Sequence, residues 1–231
     1  KQNELAQFAD VVTVNSGNVG IGVSPSDKLH VGGSAAFIRV DRSDGEAGIT
    51  LMYNGSNSTR SNIATQTNGD LAIDTANAER MRIDATGAVT MPHQPAFLVK
   101  PNTEQSNIAL ASNVTVLFQT EIFDQNADFA NNTFTAPVAG KYQLNFSLYL
   151  KDINDAYQYI YARIQTSNRN YEVEIYPSTI FNSDGRITVG AGFLADMDAS
   201  DTAFVTVQVP NTGSAQMDIV VYSSFSGYLV A

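Results

Sequence analysis

The 231-residue chain has no cysteine, which excludes disulfides, thiolate nucleophiles and most structural zinc sites while leaving the redox compartment open. An extracellular domain without such staples needs another source of rigidity, and a large oligomer interface supplies one. Histidine is nearly absent as well: His30 and His93 are the only two. A histidine metal site or a Ser-His-Asp triad would have to rest on one of them, and neither sits in a catalytic pattern. Basic residues are scarce, 13 Lys and Arg against 23 Asp and Glu for a net charge of −10. A phosphate backbone is therefore repelled, and nucleic acid is not an expected partner. No apolar run approaches the roughly 18 residues of a membrane span, so membrane insertion is not expected either. The start at Lys1 lacks the basic-then-apolar order of a signal peptide and reads as a cut from a longer protein.

What remains is 43% hydrophobic and 16% charged, enough apolar material for a core and too little charge for a disordered chain. The length predicts one compact domain of about 130 to 140 residues plus a more extended part. Leu5, Phe8 and Val12 at three-to-four spacing predict one or two helical turns in Lys1 to Asp10. From Val11 onward, short apolar pieces broken by Gly, Asn, Ser and Asp predict strands joined by tight turns. A strand, a glycine turn and a second strand recur at Val12 to Ile21, Ile63 to Ile73 and Met81 to Met91, with turns at Gly17, Gly69 and Gly87. Each unit has too few apolar residues to bury a face alone. Three chains sharing one apolar axis would bury it, so residues 1–91 are expected to form a β-rich trimeric stem. A small β-sandwich within 35–83 is the alternative.

Met91-Pro92-His93-Gln94-Pro95 marks a boundary, because two prolines so close disfavour a continuous strand or helix. Residues 92–95 read as a linker and 96–231 as a second domain. Its strands alternate cleanly: Tyr142, Leu144, Phe146, Leu148 and Leu150 share a face, and Lys141, Gln143, Asn145 and Ser147 share the other. Tyr157, Tyr159 and Tyr161 are expected to form a row along the next strand, packed in the core or against a sister subunit, with sugar stacking as the alternative.

Phe134-Thr135-Ala136-Pro137-Val138-Ala139-Gly140-Lys141-Tyr142-Gln143-Leu144-Asn145-Phe146 resembles the signature of the complement globular-head domain, shared with the trimerising domains of short-chain collagens. Phe134, Gly140, Tyr142 and Phe146 carry it. The closing run Tyr222 to Val230 is similar to that family's last strand, and Pro95-Ala96-Phe97 and Phe118 to Phe123 fall in the expected places. Leu144 stands where the family usually has an aromatic, and the loop between Phe129 and Phe134 is about two residues short. The resemblance covers Pro95 to Ala231 and implies an all-β chain ending in a ten-stranded jelly roll of the tumour-necrosis-factor type, assembled as a trimer. Two stem runs, Gly17 to Val31 and Glu79 to Gly87, resemble segments of tailed-phage fibres.

Carboxylates recur at Glu172 and Glu174 and at Asp196, Asp198 and Asp201. Same-face residues two apart on a strand lie about 7 Å from each other, which leaves a glycosidase pair or a calcium site as candidates beside ordinary solvated acids. No cofactor is required and no enzyme is expected; calcium is the one candidate ion. Strand parity brings the loops near Lys151 to Ala156, Pro177 to Arg186 and Pro210 to Gln216 to one end of the jelly roll, with the C-terminus at the other. Asp152, Asp155, Tyr176, Phe181, Asp184 and Asn211 are thus the candidate receptor-binding residues. The expectation is a homotrimeric phage tail-fibre tip that binds a host surface receptor, a glycan or an outer-membrane protein. A bacterial or extracellular adhesin with the same head is the alternative, and a polysaccharide depolymerase is the outlying one.

Overall fold

Alternating apolar and polar residues yield strands almost throughout the computed structural model, which describes residues 12–15, 18–21, 29–31, 47–52, 60–180 and 185–231. The helical turns expected within Lys1 to Asp10 lie outside them. The chain divides into two units, Lys1–Thr90 and Met91–Ala231.

In the first unit, β1 (Val12–Asn15), β2 (Asn18–Ile21) and β3 (Leu29–Val31) make a small sheet in which β1 and β2 pair antiparallel and β2 and β3 parallel. A second sheet is an antiparallel meander of β4 (Ala47–Met52), β5 (Arg60–Thr65), β6 (Leu71–Thr75), β7 (Ala78–Ile83) and β8 (Val89–Thr90). It is a single layer; the rest of the 35–83 span, where a sandwich was the alternative, lies outside the described residues. The run Glu79 to Gly87 is ordered by a charge network and a side-chain turn. Arg82 forms ion pairs with Glu79 and, at 2.7 Å, with the buried Asp70. Asp70 also accepts from Asn68 Nδ2 and the Ala85 amide, and the Arg82 guanidinium holds its carboxyl below the ordinary aspartate value. Asp84 closes the β7–β8 turn by accepting from the Thr86 and Ala88 amides.

Register places Ile49, Ile63, Ile73 and Met81 in one row across four strands of this sheet. Ile49 and Ile63 are 55% and 49% exposed within a single chain. A one-layer sheet with such a row has an apolar face to cover.

The second unit is the jelly-roll head. Its strands are β9 (Ala96–Lys100), β10 (Val114–Thr115), β11 (Thr120–Asp124), β12 (Phe129–Ala130), β13 (Thr133–Thr135), β14 (Gly140–Lys151), β15 (Ile160–Thr166), β16 (Asn170–Ile175), β17 (Ile187–Met197), β18 (Thr202–Gln208), β19 (Asp218–Ile219) and β20 (Ser224–Leu229). One four-residue helix, α1 (Pro177–Ile180), interrupts them. One sheet runs β12-β13-β18-β15-β16 and the other β11-β9-β20-β14-β17, ten strands in all along the two paths, with β10 and β19 as short additions.

Between the sheets lies one core. Its centre is aromatic: Phe97 stacks on Phe134 at 4.7 Å and on Phe129 at 5.3 Å, Phe225 meets Phe97 edge-on at 5.0 Å, and Tyr142 lies 5.4 Å from Phe134. Phe134, Tyr142 and Phe146 of the signature are therefore core residues. Leu144 is fully buried among them, so loss of an aromatic at this position leaves the alternation intact. Gly140 opens the long β14 because a side chain there would meet Leu229 Cδ1 at 2.6 Å and the Ala231 carbonyl oxygen at 2.7 Å.

Two expectations need correction. Tyr157 does not begin a row on β15, which starts only at Ile160. Its amide donates to the Asn154 carbonyl in a turn, and its ring is buried. The last strand, placed by the resemblance over the run Tyr222 to Val230, starts only at Ser224, after a turn in which the Ser223 amide donates to the Val220 carbonyl. Ser223 Oγ then accepts from the Tyr149 amide, replacing the ladder bond lost there.

Phe225 touches Phe97, Phe118 and Phe129 and has no exposed surface. Phe225→Ala is expected to lower head stability by about 3–5 kcal/mol in denaturant unfolding. A loss under about 1 kcal/mol would remove this ring from the core.

Candidate functional site

The two ends of the head differ in what they hold. At the base, β9 enters beside the C-terminus: the Leu229 amide donates to the Pro95 carbonyl at 3.0 Å and the Lys141 amide to the Ala231 carbonyl at 2.7 Å. Met91 to Pro95 is tied down there, since Gln125 Nε2 donates to the Met91 carbonyl and Asn126 Nδ2 to the His93 carbonyl. A groove of about 500 Å³ opens at this end, lined by His93, Gln94, Asn126, Asp128 and Leu229 among others. One carboxylate oxygen of Asp128 is buried there without a hydrogen-bond partner, and desolvation raises this carboxyl above the ordinary aspartate value.

β14 carries the chain from this base to the opposite end, where three loops meet. The Ile153 amide donates to the Gly185 carbonyl at 3.1 Å. Asn154 Nδ2 donates to Ser214 Oγ at 2.9 Å and to Gln216 Oε1 at 3.1 Å, while its Oδ1 accepts from the Ala156 amide. Thr212 Oγ1 donates to the Ala156 carbonyl, and the Tyr157 hydroxyl to the Ser214 carbonyl at 2.6 Å. Gly213 is required because its φ is +78° and a Cβ would lie 2.5 Å from Asn154 Oδ1. A fourth segment joins them. Lys151 Nζ lies 2.9 Å from Glu104, 3.4 Å from the buried Asp218 and 3.7 Å from Asp152. The Glu104 carboxylate, with Asp218, holds the Lys151 ammonium above the ordinary lysine value.

Of the candidate receptor residues, Asp152, Asp155 and Asn211 are exposed on these bonded loops, and Tyr176 is 49% exposed just past β16. Phe181 and Asp184 lie outside the described residues. Sequence reasoning missed Asn154, Ser214 and Gly213, which hold the loops, and the Lys151 cluster. Asn-Asp and Thr-Gly-Ser pairs at predicted turns were the available signal for the first group. Nothing local marked Glu104, 47 positions before Lys151 in the chain.

On the outer face of the β15–β16 pair, the paired acids are already engaged. Arg163 binds Glu172 and donates from Nη1 to Asn113 Oδ1 at 2.7 Å and Gln208 Oε1 at 2.8 Å, with its Cζ 4.5 Å from the Tyr161 ring centroid. Glu174 stands opposite Tyr161 in the ladder, and its carboxylate raises the Tyr161 and Tyr176 phenols above the ordinary tyrosine value. Asp196 pairs with Arg169 at 2.8 Å, and Asp201 accepts from Asn168 Nδ2 and the Asp198 amide. These acids surround donors rather than a vacant centre. Among the described residues, no group of three or more His, Asp or Glu could hold a metal ion, and no helix is long and apolar enough to cross a membrane.

Comparison with known proteins adds a family. The C1q domain family model matches residues 96–230. Among solved structures, the globular domain of zebrafish complement 1qA protein is 20% identical at a TM-score of 0.43, over 60% of this chain and 98% of that one. A crystal structure of murine APRIL at pH 8.0 is 9% identical at a TM-score of 0.43, over 59% of this chain and 99% of that one. Comparison with curated proteins returns no match.

Two outcomes follow from this geometry. Asn154→Ala is expected to cost about 1–3 kcal/mol and to speed amide exchange at Ile153 and Ala156 while exchange in β14 stays slow; unchanged exchange in the loops would show that Asn154 does not hold them. At the base, a carboxyl raised in the folded state removes stability once both states are ionised and none when both are protonated. Asp128→Asn is therefore expected to raise the melting temperature at pH 7, the gain disappearing as pH falls toward and below the ordinary value of 3.8. An equal gain at pH 3 and pH 7 would contradict the desolvated-carboxylate reading.

Proposed function

We propose a function from one premise: this chain belongs to the C1q domain family. It acts as a homotrimeric receptor-binding tip, a phage tail fibre that attaches to a host cell surface through the loops at the end of the head opposite Pro95 and Ala231.

The observation that carries the trimer is the outer face of β14 and its two neighbours. Gln143, Asn145, Ser147 and Tyr149 lie opposite Leu194, Gly192, Gly190 and Thr188 on β17, and Tyr228, Ser226 and Ser224 lie on β20. None of these eleven residues is charged, in a protein of net charge −10. Leu194 is 57% exposed and Tyr228 50% in one chain. Depletion of charge with exposed apolar and aromatic groups is the composition of an interface centre. The apolar row Ile49, Ile63, Ile73 and Met81 in the first unit has the same need for cover, and sister chains of one assembly meet both needs.

Receptor binding at the far end is supported by rigidity. Four segments there are bonded to one another, so exposed Asp155 and Asn211 stand on ordered loops and lose little entropy on binding. The virion setting rests on the resemblance of residues 17–31 and 79–87 to tailed-phage fibres.

Light scattering at micromolar concentration is expected to report three times the 24.9 kDa of one chain, and Leu194→Glu to shift the protein toward one chain with its β circular dichroism retained. Wild-type monomer would overturn the assembly. Labelled trimer is expected to coat host bacteria, with Asp155→Ala and Asn211→Ala together reducing adsorption. Undiminished adsorption by a folded double variant would move the receptor contact away from these loops.

A further inference from the structure

The Tyr161–Arg163–Glu172–Glu174 arrangement is absorbed neither by the core nor by the interface above. It lies on the outer face of the other sheet, and it is more ordered than a solvated strand face requires. Tyr161 stands opposite Glu174 on one side and Gln208 on the other, and Arg163 stands opposite Glu172 and Thr206. Arg163 is held by four groups: Glu172, Asn113, Gln208 and the Tyr161 ring. Beneath it, Thr206 is 1% exposed and its hydroxyl has no partner. The Tyr159 and Tyr161 rings pack at 4.7 Å, tilted by 45°. Tyr159 and Tyr176 immediately follow the last registered pair, Ile160 with Ile175, at the end that leads into the receptor loops.

We propose that this patch, made by Tyr159, Tyr161, Tyr176, Glu174 and Gln208 with Arg163 as a positioning residue, is a binding platform for an uncharged glycan. The proposal rests on the receptor-binding reading and names the receptor's chemical class. Same-face positions lie about 7 Å apart along a strand and neighbouring strands about 5 Å apart, so three strands and two positions span about 7 by 10 Å. That is the scale of one or two sugar rings. Aromatic surface buries the C–H face of a pyranose, while the Glu174 carboxylate and the Gln208 amide accept and donate to its hydroxyls. Charge selects against acidic polymers. Arg163 is neutralised by Glu172, Glu174 stands opposite Tyr161 rather than a cation, and the whole protein carries −10. A uronate or phosphate polymer is repelled, and a neutral hexose is not.

The test uses the full chain and saturation-transfer NMR with the methyl glycosides of glucose, galactose, mannose and N-acetylglucosamine. At least one is expected to receive saturation from tyrosine protons, equally at 0.1 M and 1 M salt. Tyr176→Ala and Glu174→Gln are expected to weaken that sugar about tenfold; Tyr176→Phe, which keeps the ring, should retain most of the affinity. Circular dichroism and melting identify any variant that fails to fold, and both Tyr176 and Glu174 are exposed. Transfer to none of the four sugars overturns the proposal, as does transfer that survives both folded variants or disappears at high salt. Adsorption separates the two readings. Protein that coats cells with or without Tyr176 and Glu174 keeps the receptor-binding function and loses this site, whereas protein that coats no cells loses the function itself.

Discussion

Everything at the two ends of the head depends on the contact between its first and last strands. Phe97 of β9 and Phe225 of β20 meet edge-on at 5.0 Å in a fully buried cluster, and their strands pair antiparallel from Ala96 with Tyr228 to Val99 with Phe225. That pairing fixes the start and finish of the domain side by side. Since β14 runs twelve residues away from this base, the loops at its far end are left clear of the domain's own start and finish. Burial of these aromatic rings thus sets which loops lie at the end opposite the domain's start and finish.

Much of this was legible because it follows from parity. The alternation of Tyr142, Leu144, Phe146, Leu148 and Leu150 fixed the buried face of β14, and antiparallel succession fixed which loops share an end; the bonds from Asn154 to Ser214 and from Ile153 to Gly185 join those loops. Parity fails where a strand stops being a strand. Tyr157 keeps the spacing of a strand residue but sits in a turn, because its ring completes the core and its hydroxyl reaches the Ser214 carbonyl. The break at Val220 to Ser223 was hidden for a similar reason: a serine hydroxyl replaces the backbone donor, and the apolar pattern continues through it. Contacts between residues far apart in the chain, such as Lys151 with Glu104 and Asp218, leave no local trace. Of the candidate site, the loops were readable and the groups that order them were not.

The two sheets of the head present different chemistry outward. The face built on β14 is uncharged from Gln143 to Tyr149 and has small residues at Gly190 and Gly192, the latter covered closely by the Gln143 and Asn145 side chains. The face built on β15 and β16 carries rings, carboxylates and one guanidinium bound to each other. Burying the first against sister chains leaves the second at the surface of the assembly, which separates the surface for self-association from the surface for a ligand. The first unit carries an apolar row of its own, whose exposed isoleucines the proposed assembly would also cover.

Tyrosine oxidation tests this division of surfaces on the unmodified protein. In one chain Tyr228 is 50% exposed and Tyr176 is 49% exposed, so an isolated chain would oxidise both to similar extents. Brief hydroxyl-radical labelling followed by peptide mass spectrometry should find Tyr228 protected, because a sister chain covers it, and Tyr176 modified. Equal modification of the two tyrosines would contradict the account.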